Sequence, residues 1–97
     1  MAAITVDART DAGSTSDPDT HIARLRGRLD EIDETIVALW QERARISQEI
    51  GATRVAAGGT RLVLSREREI LERFRMALGE DGTQLALLVL RAGRGRL

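Results

Sequence analysis

Apolar residues recur from Ile22 at positions 22, 25, 29, 32, 36 and 39, and again at 46 and 50, in steps of three and four. That spacing is the seam of a packed helix. Position 43 belongs to the seam by its spacing, yet it holds Arg43. Beside the seam, Arg26, Asp33, Trp40, Ser47 and Arg54 form a stripe at steps of seven. A guanidinium keeps its charge at any ordinary pH and is costly to bury without an anion. Cations on or next to a buried face, near both ends of one helix, therefore predict a buried site for an anion.

Asp17-Pro18 predicts where this helix begins, with Asp17 as N-cap and Pro18 at the first helical position. The pattern then runs to about Arg54, with no proline to interrupt it. Such a helix has roughly 37 residues and a length of about 55 Å at 1.5 Å per residue. The remaining forty-odd residues cannot cover a seam of that length, and a second copy of the same helix can. The pattern thus predicts an intertwined homodimer.

Further along, Ala56-Ala57-Gly58-Gly59-Thr60 reads as a loop. Ser65 is the predicted N-cap of a second helix, with Glu67 in its first turn and Ile70, Leu71, Phe74 and Leu78 on its apolar face. Gly79-Glu80-Asp81-Gly82 reads as a turn, and Thr83 to about Arg91 as a short third helix. The Gly-Arg alternation from Arg91 to Leu97 predicts a loosely held end, and residues 1–16, without a sustained period, a disordered N-terminal tail. The expectation is an all-α chain with three helices, one long and two short, forming a single domain over 17–97.

Composition narrows the chemistry. The chain has 97 residues, 15 basic against 15 acidic, and every basic residue is arginine. Zero net charge and two aromatics argue against nucleic-acid binding through the Arg-rich end. The arginine bias fits a GC-rich coding sequence, and arginine is also the better residue for bidentate carboxylate recognition. Without cysteine there is no disulfide and no thiolate metal site, and the single His21 makes a histidine-built metal site or triad implausible. No apolar run approaches the length of a membrane span, and no basic-then-apolar leader pattern opens the chain. The expected setting is soluble and cytoplasmic, with no cofactor.

The second helix repeats the oddity of the first. Steps of three, four and seven back from Ile70, Leu71 and Phe74 land on Arg66 and Glu67. Each charged residue alone has an ordinary reading: a solvated first turn for Arg66 and Glu67, a snorkelling stem for Arg43, a solvated flank for Arg26 and Arg54. Together they would form a strongly cationic pocket with one carboxylate, suited to a small molecule with two carboxylates and a hydroxyl. Nothing supplies a nucleophile with a base, a metal site or a phosphate loop. A reaction in such a pocket would depend on positioning and electrostatics more than on proton transfer.

These residues also carry a resemblance. Leu25-Arg26, Ile32-Asp33, Leu39, Glu42-Arg43, Ile50-Gly51 and Arg54 form one block. Gly58-Gly59-Thr60-Arg61-Leu62-Val63, Ser65-Arg66-Glu67 and the closing Arg-Gly-Arg form the other. Over roughly residues 22–97 the chain resembles the all-helical class of chorismate mutase, and within it the short intracellular subclass that works with DAHP synthase.

The resemblance implies the Claisen rearrangement of chorismate to prephenate, in phenylalanine and tyrosine biosynthesis, without a cofactor. It implies that Arg43 grips one substrate carboxylate and that Arg26 reaches in from the other subunit. It implies that Arg54 stands at the breaking ether oxygen, that Glu67 accepts the ring hydroxyl's hydrogen bond, and that Arg66 orients the substrate. Arg54 and Glu67 are thereby the catalytic candidates. Better-known members carry an acid three residues before the Arg-Glu pair; here Val63 offers only its backbone. A serine and a glutamine of their third helix would fall near Gly93 and Leu97. These departures imply a weak mutase that DAHP synthase activates through the C-terminal segment. The rival reading is a non-enzymatic helical dimer whose seam arginines bind acidic partners.

Overall fold

The computed structural model of the chain describes residues 17–95. They form three helices, α1 over Pro18–Ala56, α2 over Leu64–Leu78 and α3 over Glu80–Arg94. Among the described residues there is no strand. The expected tail over 1–16 and the final Arg96-Leu97 lie outside the described residues.

Asp17 caps α1 as the sequence predicts. Its Oδ1 accepts from the Asp19 N–H at 3.1 Å, and Oδ2 accepts from Thr20 Oγ1 at 2.6 Å. The Thr20 hydroxyl first, and then the Asp19 amide, hold the Asp17 carboxyl below its ordinary value. Each bond favours the ionised form, and the charge also complements the N-terminal end of the helix dipole.

The chain divides at Ile36/Val37 into two units. Residues 17–36 are the first part of α1 and contain no other element. Their seam residues Ile22, Leu25, Leu29 and Ile36 are 38 to 58 % exposed. Residues 37–95 comprise the rest of α1 together with α2 and α3. Here Ile70, Ala86 and Leu90 are buried, with Leu71 and Phe74 packed against them. This small core lies between α2 and α3.

Three boundaries differ from expectation, each for a physical reason. α2 opens at Leu64, not after a Ser65 cap, because extended Val63 precedes it and its carbonyl accepts the Glu67 N–H at 3.1 Å. The α2–α3 turn contracts to Gly79, whose φ of 74° suits a residue without a Cβ, so Glu80 and Asp81 already form the first turn of α3. The C-terminal segment, expected to be loosely held from Arg91, stays helical to Arg94. Gly93 makes this possible. It is buried against α1, and a Cβ there would collide with the Ser47 hydroxyl. Gln48 Nε2 donates to the Ala92 carbonyl at 3.2 Å and pins the same crossing.

Candidate active site

Within residues 37–95 a cavity of about 230 Å³ opens between α1, the 57–63 loop, α2 and α3. Its apolar floor includes Ile46, Ile50, Ile70 and Leu90. Its polar wall holds five guanidinium groups, Arg43, Arg54, Arg61, Arg66 and Arg94, and a single carboxylate, Glu67.

Each element delivers its cations by helical register. Arg43 and Arg54 are eleven residues apart on α1, three turns, and so return to nearly the same face. Arg66 and Glu67 sit in the first turn of α2, one turn before buried Ile70. Arg94 sits in the last turn of α3, four residues after buried Leu90. Arg61 comes from the loop, where its aliphatic stem lies over Gly51: a Cβ on that glycine would be 3.5 Å from Arg61 Cγ. Arg61 Nη1 also donates to the Arg94 carbonyl at 3.4 Å.

The electrostatics are one-sided. Arg43 is half-buried, and its pKa is pressed below the ordinary arginine value, first by burial and then by the charges of Arg66 and Arg73. A guanidinium so placed stays charged, so an anion entering beside it relieves repulsion as well as gaining attraction. Arg66 pairs with Glu69 at 3.6 Å, but both side chains are more than half exposed, which makes that pair a weak competitor for a ligand. Glu67 faces Arg94, with Nε 3.4 Å from Oε2. No group of three or more His, Cys, Asp or Glu side chains among the described residues is placed to hold a metal ion. No helix among them is long and apolar enough to cross a membrane.

Of the residues singled out from sequence, Arg43, Arg54, Val63, Arg66 and Glu67 meet in this cavity. Arg26 does not line it; it is an exposed residue of the 17–36 stretch. Arg61, quoted only as part of the resemblance, and Arg94, in the closing Arg-Gly-Arg, also line the cavity, though neither was assigned to the site from sequence. The signal for Arg94 was present, since 82, 86, 90 and 94 step by four along the buried face of α3, and the Gly-Arg alternation masked it. Arg61 has no periodic signal, because a loop has no register.

The family model described as "Chorismate mutase type II" matches residues 25–89. The intracellular chorismate mutase of Mycolicibacterium smegmatis is 52 % identical over 83 residues, which cover 86 % of this chain and 80 % of that protein. The chain belongs to the chorismate mutase type II family. The protein of the same name from Mycobacterium tuberculosis H37Rv is 51 % identical over 82 residues, 84 % of this chain and 77 % of that one. Among solved structures, a chain of the non-covalent complex of DAHP synthase and chorismate mutase from Corynebacterium glutamicum, with a bound transition state analogue, superposes with a TM-score of 0.78. It is 44 % identical, and the match covers 81 % of this chain and 95 % of that one. The all-α, three-helix architecture is therefore shared at the level of both sequence and shape.

Proposed function

We propose that this cavity binds chorismate and accelerates its Claisen rearrangement to prephenate, making the protein an isomerase of phenylalanine and tyrosine biosynthesis. One observation carries the proposal: five guanidinium groups converge on one small cavity whose single carboxylate faces them. Chorismate is a dianion with a ring hydroxyl. Its carboxylates match the cations and its hydroxyl matches Glu67.

The reaction is an intramolecular [3,3] shift. One C–O bond breaks as one C–C bond forms, and no proton, electron or leaving group departs. The site therefore contributes by holding the enolpyruvyl side chain over the ring in the reactive conformer. Arg43, half-buried and crowded by like charge, grips one carboxylate, and Arg66 fixes the orientation. Glu67 accepts from the ring hydroxyl, and the backbone of Val63 lines that end of the site. Negative charge grows on the ether oxygen as the C–O bond lengthens, and Arg54 is the cation assigned to it. A preorganised charge there acts mainly in the transition state.

The exposed apolar residues of 17–36 support a homodimer in which a second copy covers the seam. In that dimer Arg26 of one copy completes the cavity of the other, so that each site is shared. We further propose DAHP synthase as a partner that activates the enzyme. The Corynebacterium glutamicum complex supports this for a relative, and the side chains at 63 and 93 bear on it here: Val63 lacks a polar group, and Gly93 lacks any side chain. A partner that reshapes the end of α3 selects the competent arrangement by binding it more tightly. The loss of chorismate absorbance, followed with purified protein alone and with DAHP synthase, tests both claims. Slow turnover that rises on addition of the synthase is expected. No turnover in either condition would overturn the assignment, and equal rates would remove the activation.

A further inference from the structure

Arg94 is more than a cation at the end of a helix. Basic residues in a last turn commonly point to solvent and interact with the dipole. This one turns inward: its side chain is 21 % exposed, and that of its partner Glu67 is 19 % exposed. Three ion pairs within single helices, Arg28–Glu31, Arg66–Glu69 and Arg75–Glu72, join residues three apart with side chains 41 to 69 % exposed. Arg94–Glu67 instead spans two helices and is mostly shielded from water, where charge attraction is stronger.

The pair is close without being hydrogen-bonded. Nε of Arg94 lies 3.4 Å from Glu67 Oε2, yet both Nε and Nη1 are buried with no hydrogen-bond partner. Buried N–H groups left in that state are costly. A shift of a few tenths of an ångström toward Glu67 would turn the ion pair into a charge-assisted hydrogen bond, and a planar guanidinium can make two in parallel. The end of α3 that carries Arg94 is set by three contacts already described: Gly93 on Ser47, Gln48 on the Ala92 carbonyl, and Arg61 on Arg94's own carbonyl. The position of that helix end is thus coupled to the orientation of the cavity's one carboxylate.

On the reading that Glu67 accepts the ring hydroxyl's hydrogen bond, we propose that Arg94 is the positioning residue for Glu67. Although it lines the cavity, its proposed effect on the reaction runs through Glu67. Arg94 orients the carboxylate that meets the substrate, and it transmits the placement of the α3 terminus to hydroxyl recognition. Lysine at 94 would supply charge without the planar fork, so it should replace only part of the function.

The test is a double-mutant cycle in chorismate turnover with Arg94→Ala, Glu67→Ala and the combined protein, plus Arg94→Lys. Arg94→Ala is expected to lower kcat/KM about tenfold, the usual scale for losing a group that orients a reactive one. In the Glu67→Ala background the same change should have an effect of less than about twofold, because the group it orients is gone. Arg94→Lys should recover part of the loss. Circular dichroism and sedimentation establish that each protein folds and assembles; Arg94→Gln, which keeps part of the stem, replaces Arg94→Ala if that variant does not. Equal losses from Arg94→Ala in both backgrounds would overturn the proposal, since Arg94 would then act on substrate or on stability without Glu67. Wild-type kinetics for Glu67→Ala alone would instead remove the hydroxyl reading, and this proposal with it.

Discussion

Residues 17–36 and 37–95 are built on the same helical seam, but only the second stretch buries a core. In 37–95, α2 and α3 close over Ile70, Ala86 and Leu90, and a cationic cavity forms at their junction with α1. The α1 seam itself joins that core in neither stretch: Ile22, Leu25, Leu29 and Ile36 are 38 to 58 % exposed, and Leu39, Ile46 and Ile50 are 50 to 57 % exposed. Burial of a Leu or Ile side chain is worth about 1.5–3 kcal/mol. A row left open in one chain is therefore a strong driving force for association. The contrast teaches that α2 and α3 bury one another, whereas the α1 seam stays about half exposed in both stretches and offers its whole length to a second copy.

The largest expected effect sharpens the catalytic half of this contrast. If Arg54 holds the proposed place at the ether oxygen, Arg54→Ala should lower kcat about 10²–10³-fold while changing KM much less, because a charge there acts mainly in the transition state. Steady-state kinetics decide it. An unchanged kcat with a raised KM would reassign Arg54 to ground-state binding.

The next effect compares the two regions directly. Ile70→Ala empties a site that is 2 % exposed and should cost about 2–5 kcal/mol in denaturant unfolding. Leu29 is 56 % exposed within the single chain. Leu29→Ala would then cost about 0.5 kcal/mol or less if the chain worked alone. It should instead cost about 2 kcal/mol or more, in a manner that depends on protein concentration, if a second copy covers the seam. A small, concentration-independent loss at Leu29 would break the comparison on the dimer side.

The smallest effect concerns the start of α1. The Asp17 carboxyl titrates below its ordinary value of 3.8 in the folded chain, chiefly through Thr20. Because the folded value is the lower one, this contribution is present above the unfolded value and is lost as pH falls through the folded one. Helicity at 222 nm should therefore decline slightly on acidification below about pH 4 in the wild type, and Asp17→Ala should flatten that component. Identical acid profiles for the two proteins would remove Asp17 as a cap.

Much of this architecture was legible because helices announce themselves by register. The steps of three and four from Ile22 locate α1, Asp17-Pro18 marks its start, and the misfit of Arg43 points to the cavity it lines. The same rule reaches Arg66 and Glu67 through Ile70. It failed where a local signal competed with a tertiary one. Gly82 and Gly93 look like helix breakers in sequence, yet both are buried inside α3, and Gly93 is needed for the close approach to Ser47. Ser65 looks like a cap, but extended Val63 opens the helix before it. The site role of Arg61 was not legible because its place depends on a loop crossing Gly51, which no periodicity encodes.

In the proposed dimer, the cavity of one copy works only when residues 17–36 of another complete it. Mixing Arg26→Ala and Arg43→Ala proteins, each inactive by itself, tests it most directly. In every heterodimer one site carries both mutations and the other carries neither. Random exchange should thus restore about a quarter of the wild-type sites, read as recovered chorismate turnover at a near-normal KM. Heterodimers shown to form by native mass spectrometry, yet remaining inactive, would contradict the account.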